Sequence, residues 1–194
     1  QSSGDIALDP QNHNTLYYGT GGNVYGFLYN FYGIGVYKST NGGSNWTGPY
    51  TNNFPSAIFT CAIAVNPNNG DVYLANGRGT GPYGGGNGAG LYKSTDGGIN
   101  WTKVFPSGSS SLPCYDVTFD GSDVYVAMEG GFWKSTNGGA NFTQLPVSTP
   151  NYVTRTQISV SNVSGTTYIY VLFRHCNVLP DCNTVTMYTS VSTD

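Results

Sequence analysis

The sequence predicts an all-β fold of repeated four-stranded antiparallel sheets, and three observations carry that expectation. One twelve-residue motif occurs three times without gaps: Val36-Tyr-Lys-Ser-Thr-Asn-Gly-Gly-Ser-Asn-Trp-Thr47, Leu91-Tyr-Lys-Ser-Thr-Asp-Gly-Gly-Ile-Asn-Trp-Thr102 and Phe132-Trp-Lys-Ser-Thr-Asn-Gly-Gly-Ala-Asn-Phe-Thr143. A second, shorter repeat lies upstream of each copy. No stretch shows helical periodicity of useful length. A fourth copy begins at Ser192-Thr193-Asp194, and from Ser39 the spacing runs 55 residues to Ser94, 41 to Ser135 and 57 to Ser192. Four short strands at this repeat length describe the blade of a β-propeller.

The strands follow from period-two alternation, β-branched and aromatic residues, and bounding Gly, Asn, Asp and Pro. In the first unit, strand A is Ile6–Leu8, B is Leu16–Tyr18, C is Val36–Lys38 and D starts at Trp46. Ile63-Ala-Val65 with Val72-Tyr-Leu74, Val117-Thr-Phe119 with Val124-Tyr-Val126, and Ile158-Ser-Val160 with Tyr168-Ile-Tyr-Val171 repeat A and B. Asx-rich turns join A to B, where short side chains bond nearby amides. The blades are expected at about 5–50, 60–105, 114–146 and 156–194, within one domain spanning 1–194. About three and three-quarter blades is few for a closed ring. A fragment of a longer chain, or a partner completing the fourth blade, would account for it.

Composition excludes several partners. Charged residues are 9%, aromatics 14% and the net charge is −3. This is neither a disordered tail nor a basic nucleic-acid surface. No apolar run reaches the length of a membrane span. Sparse charge with abundant Ser, Thr, Asn, Gly and Tyr suggests a secreted or cell-surface protein. The sequence begins at Gln1 without Met or signal peptide, as processing or trimming would leave it. No Cys-x-x-Cys is present and His13 and His175 lie far apart, so neither a metal nor a cofactor is expected.

The recurring motif Ser-x-Asp/Asn-x-Gly-x-x-Trp/Phe resembles the Asp-box, or BNR repeat. It is carried by Ser39, Asn41, Gly43 and Trp46, by Ser94, Asp96, Gly98 and Trp101, and by Ser135, Asn137, Gly139 and Phe142. Similar repeats occur in sialidases, xyloglucan-cleaving glycoside hydrolases, sortilin-type receptors and reelin. The resemblance implies that each box sits on the C–D hairpin, opposite the active face, with its ring wedged into the blade. The residues support a structural role too, because Gly tolerates positive φ and Asx side chains accept from turn amides.

Binding residues are therefore expected on the B–C and D–A loops, whose unequal lengths suit variable recognition. The first B–C loop, Gly19 to Gly35, holds Tyr25, Phe27, Tyr29, Phe31 and Tyr32; the second, Gly77 to Gly90, holds Arg78 and Tyr83. The third is Glu129-Gly-Gly131, and the fourth holds Arg174 and the Cys176–Cys182 segment. The aromatics either stack on sugar rings or pack over a neighbouring blade or subunit. Among one Glu and nine Asp, only Asp116 and Glu129 form a pair worth testing for glycoside hydrolysis, with strand-end capping the competing role. The sialidase pattern fails: Arg78, Arg155 and Arg174 are present, but the Phe-Arg-Ile-Pro signature is not.

Cys61 and Cys114 start strand A in successive blades and could pair if their Cα atoms approach within about 7 Å. A Cys176–Cys182 bridge would contribute about 2 kcal/mol on the loop-entropy model. Asn45, Asn100, Asn141 and Asn162 head glycosylation sequons. Lys38, Lys93 and Lys134 recur in register as solvated strand positions. The function expected is a non-catalytic recognition or scaffold module binding a glycan or an extracellular partner protein. The alternatives are a glycoside hydrolase fragment, and a structural subunit that associates with copies of itself through an unpaired blade edge.

Overall fold

The computed structural model describes residues 3–22, 31–54, 58–77, 88–147, 153–175 and 184–192. All regular structure among them is β, in four antiparallel sheets. Blade 1 runs β1 (Ser3–Leu8), β2 (Leu16–Gly22), β3 (Phe31–Ser39) and β4 (Thr47–Tyr50). Blade 2 runs β5 (Thr60–Val65), β6 (Val72–Asn76), β7 (Gly90–Ser94) and β8 (Thr102–Phe105). Blade 3 runs β9 (Cys114–Asp120), β10 (Asp123–Met128), β11 (Gly131–Ser135) and β12 (Thr143–Gln144). Blade 4 contains β13 (Val153–Val163), β14 (Thr166–His175) and β15 (Thr184–Ser192). Within each sheet the strands neighbour one another in chain order, so each blade is a meander. The fold is a β-propeller. Contacts group the chain into two compact units, Gln1–Cys114 with blades 1 and 2 and Tyr115–Asp194 with blades 3 and 4.

The repeats fix register as well as strand identity. Tyr17 stands opposite Lys38, Tyr73 opposite Lys93 and Tyr125 opposite Lys134. Within each unit the second blade turns one face, its leading face, toward the trailing face of the first. In the first unit the trailing Tyr17 and Val36 of blade 1 bury against the leading Val72, Leu74 and Trp101 of blade 2. Phe54 leaves blade 1 and packs on this core, 4.9 Å from the Trp101 ring and 5.2 Å from Tyr92. In the second unit Tyr125 and Phe132 of blade 3 bury against Ile158, Ile169 and Phe173 of blade 4. Phe132 meets Phe173 edge to face at 5.3 Å, the arrangement ring quadrupoles favour.

Each C–D hairpin turns on one buried serine. The Ser39, Ser94 and Ser135 hydroxyls donate to the Asx Oδ1 at 3.0, 2.8 and 2.9 Å. Each serine oxygen accepts the amide of the second box glycine, at 2.9, 2.8 and 2.8 Å. The Asx Oδ1 then accepts the amide of Asn45, Asn100 or Asn141, at 2.8 to 2.9 Å. Both glycines of every box lie at positive φ, as in Gly97 at 71° and Gly98 at 85°, where a Cβ would be strained. Trp46 and Trp101 close their corners by donating Nε1–H to Gly43 O and Gly98 O, each at 3.0 Å. Phe142 has no donor and supplies only its ring.

The three box lysines are half-buried rather than solvated. Each ammonium lies over the tyrosine facing it across the strands, 5.3 to 5.5 Å from the ring centroid. Lys93 pairs with Asp71 at 2.7 Å and Lys134 with Asp123 at 3.1 Å. Blade 1 has Thr15 at that acidic position, and Lys38 donates instead to Gly97 O of the blade 2 box at 3.1 Å. Sequence spacing alone could not distinguish a solvated lysine from one laid along a ring.

The expected Cys61–Cys114 bridge is not formed, and both residues are thiols. Cys61 precedes Ile63 by two positions, whereas Cys114 precedes the corresponding Val117 by three. A register shift between Thr60 and Ala62 also places Cys61 at an irregularity of β5, so the two cysteines do not hold equivalent positions. Cys176 and Cys182 lie outside the described residues.

The second box carries a carboxylate where the others carry amides. Hydrogen bonds from the backbone and side chain of Asn100, with lesser help from Ser94 and Ile99, hold Asp96 down from 3.8 to about 2. A depressed acid stabilises the fold above its unfolded pKa and loses that contribution as pH falls through its folded value. Wild type should therefore lose urea resistance relative to Asp96→Asn between about pH 4 and pH 2. Comparing the two urea midpoints across that range checks this, and a constant difference would contradict it.

Candidate functional site

The loop end of blade 1 rests on a pedestal built by Thr20. Its buried hydroxyl donates to Gly35 O at 2.7 Å and accepts the amides of Ile34 and Gly35 at 2.8 and 3.0 Å. Thr60 of blade 2 donates its hydroxyl to Thr20 O at 2.9 Å, and Gly33 N–H donates to Ile58 O at 2.7 Å. Glycine is required at Gly33, because an added Cβ would stand 2.1 Å from Thr20 O. Gly19–Gly22 and Phe31–Gly35, expected as loop, are therefore mostly strand extensions locked to each other and to blade 2. They hold Tyr32 and Ile34 outward, 52% and 42% exposed. Of the five aromatics expected on this loop, Phe31 opens β3 and Tyr32 follows it; Tyr25, Phe27 and Tyr29 lie outside the described residues.

Blade 2 anchors its own loop root through Asn76. This buried side chain accepts from Phe59 N and donates to Gly88 O, both at 2.7 Å. Burial pushes the Tyr92 hydroxyl up to about 12, so it stays protonated and donates to Gly88 O at 2.9 Å. Arg78 and Tyr83 fall outside the described residues.

In the second unit, Arg174 is exposed near the loop end of β14. Its register partner on β13 is Arg155, also exposed. Like charges facing each other across strands cost free energy. The sequence showed both arginines but not their pairing, which depends on the register of a hairpin joined at Ser164-Gly165.

Asp116 and Glu129, the carboxylates considered for hydrolysis, sit in different settings. Asp116 accepts its neighbour's amide, Val117 N, through Oδ1 at 2.9 Å and the blade 4 amide Ile158 N through Oδ2, also at 2.9 Å. Asp5 does the same between blades 1 and 2, accepting Ile63 N at 3.0 Å. The position before the strand-A isoleucine or valine is thus an inter-blade clamp in blades 1 and 3, replaced by Ala62 in blade 2. Glu129 lies half-buried in the two-residue turn Glu129–Gly130 between β10 and β11.

The box residues Ser39, Asn41, Gly43, Ser94, Asp96, Gly98, Ser135, Asn137 and Gly139 lie on the turns after β3, β7 and β11, at the opposite ends of the strands from these loops. The sequon residues Asn45, Asn100, Asn141 and Asn162 are all exposed. Asn100 donates its side-chain amide to Asp96 at 2.6 Å, and Asn162 donates to Asp120 and Thr167 at 3.4 and 3.3 Å. Among the described residues, no three His, Cys, Asp or Glu side chains gather as a metal cluster, and no helix is long and apolar enough to cross a membrane.

No protein-family model matches the chain, and no curated protein sequence matches it. Solved structures share its fold. The GH74 xyloglucanase from Xanthomonas campestris superposes with a TM-score of 0.63 at 17% identity, over 99% of this chain and 29% of that one. An ancestral GH74 enzyme gives 0.66 at 24% identity, over 97% and 24%. The extracellular domain of a hybrid two-component system from B. thetaiotaomicron gives 0.56 at 16% identity, over 96% and 22%. The chain spans less than a third of the length of each. At these identities the likeness is one of fold.

Truncating Asp116 to Ala leaves two strand amides without their acceptor. The loss should be about 1–3 kcal/mol, with Asp116→Asn milder because one acceptor oxygen survives. Urea unfolding of both variants measures this, and a neutral Asp116→Ala would contradict the clamp.

Proposed function

We propose that the chain is an extracellular, non-catalytic recognition module of Asp-box type, binding a glycan or a partner protein through the B–C loop end of its blades. The observation that carries this reading is the Thr20 pedestal. It spends three buried hydrogen bonds on fixing the backbone that displays Tyr32 and Ile34. An exposed aromatic on rigid backbone contributes contact area at little entropic cost. The second unit, taken by itself, carries Arg155 and Arg174 in register, guanidinium donors of the kind that bond carboxylates or hydroxyls. The sparse charge and the extracellular neighbour are consistent with a secreted or cell-surface location, where the exposed Asn45, Asn100, Asn141 and Asn162 would be the sequon acceptors.

A glycoside hydrolase fragment is the second reading, favoured by the fold shared with two GH74 enzymes. Against it stands the locked Asp116, whose two oxygens both accept backbone amides. In this reading Glu129 would be one catalytic carboxylate, and the second would come from outside these residues.

Glycan-array and calorimetric binding with Tyr32→Ala and Arg174→Ala tests the first reading. Tyr32→Ala should weaken binding about 5- to 30-fold, the range of one stacked or packed aromatic, without lowering the unfolding midpoint. Unchanged binding would remove the blade 1 loop end from the site. Xyloglucan hydrolysis by the chain, abolished in Glu129→Gln, would establish the second reading instead.

A further inference from the structure

Blade 1 presents, uncovered, the same leading face that blade 2 buries. On blade 2, Ile63, Val65, Val72, Leu74 and Trp101 are all buried in the core shared with blade 1. On blade 1 the corresponding Ile6, Leu8 and Trp46 are 55%, 50% and 38% exposed, and Leu16 and Tyr18 are half-buried. Tyr18 lies 6.3 Å from the Trp46 ring and 6.5 Å from Tyr37, so the residues form one continuous patch. Exposed apolar surface of this extent marks an interaction site.

The junction between blades 1 and 2 shows what such a face accepts. Asp5 of blade 1 accepts Ile63 N–H of blade 2 at 3.0 Å. Lys38 donates to Gly97 O at 3.1 Å. The Tyr17 ring lies on Gly98, 3.1 Å from where its Cβ would stand, and the Lys38 ammonium is 2.6 Å from the Cβ position of Gly97. The receiving positions on blade 1 are Ile6, Gly42 and Gly43. A Cβ at Gly42 would meet only Asn14 Oδ1 at 3.9 Å, and one at Gly43 only the blade's own Trp46 at 3.8 Å. The second box is covered by a tyrosine and a lysine from its neighbour; the first is bare.

We propose that the leading face of blade 1 docks one further propeller blade. Its trailing face carries a carboxylate for the Ile6 amide and a cross-strand Tyr–Lys pair for the Gly42–Gly43 corner. A second copy of this chain does not supply that set. The Asp5 and Asp116 carboxylates are already bound to Ile63 and Ile158. Blade 2 has Ala62 at the clamp position and blade 4 has Gln157. In blade 4 the residues opposite Tyr168 and Tyr170 are Val191 and Thr189, neither a lysine. The trailing side of β13 carries the exposed Gln157, Ser159 and Ser161, a polar surface and a poor cover for Ile6 and Leu8.

The test adds the missing blade to the intact chain. Residues 3–59 are duplicated ahead of Ser3, with Trp46→Phe in the added copy only, so that the original Trp46 reports. Docking predicts a several-fold fall in acrylamide quenching of that indole, slowed hydrogen exchange at the Ile6 amide, and a monomer by sedimentation. Replacing Asp5, Tyr17 and Lys38 by Ala in the added copy alone should reverse both signals. Unchanged quenching and exchange in the duplicated chain, whether the added copy packs elsewhere or stays unfolded, would overturn the proposal. So would self-association of the unduplicated chain that shields Trp46, since a second copy would then be the occupant.

Discussion

The serine oxygen of each box holds a corner that backbone bonding alone would leave open. It accepts two amides and donates to the Asx oxygen, which accepts a fourth group from across the turn. Two consecutive glycines in the left-handed region make the path possible. The hydroxyl then saturates amides that would otherwise be buried without partners. The corner fixes the register of strand C against strand D, and with it where the aromatic side chain goes. Everything that distinguishes one blade from another is arranged around this constant element.

Register then sets the contacts between blades. A corner that holds Lys38 opposite Tyr17 also delivers both onto the next box. The strand-A carboxylates Asp5 and Asp116 add a hydrogen bond from one sheet edge to the next within each unit. The box end of blade 2 is thus committed to packing, while the loop ends carry Tyr32 and Ile34 in the first unit and, separately, Arg155 and Arg174 in the second. Separating the two ends lets the loops differ without disturbing the junctions.

The legible part of the sequence was the local part. Box turns, strand order and the strand-A and strand-B pairs follow from residues a few positions apart, where turn chemistry and period-two alternation act. Features that depend on another blade were not legible. Asp116 looked like a possible acid because nothing near it in sequence shows that Ile158 N will claim its second oxygen. The lysines looked solvated because their partners, Asp71, Asp123 and Gly97 O, come from across a hairpin or from the next box. Cys61 and Cys114 looked equivalent, but Cys61 sits at a register irregularity of β5 and one position closer to its strand-A isoleucine than Cys114 is to its valine. Arg155 and Arg174 met only through the register of a long hairpin. The Thr20 pedestal was hidden in a Gly-rich stretch that composition assigns to loop, although its glycines serve close backbone approach.

Native-state hydrogen exchange on Ser94→Ala tests the central claim most directly. The account predicts that the Asp96 and Gly98 amides, which donate to Ser94 Oγ, lose protection together, with a global loss of about 1–3 kcal/mol. The corners at Ser39 and Ser135 should keep theirs. Full protection at Gly98 without the hydroxyl would mean that the backbone holds the corner unaided, and would contradict the account.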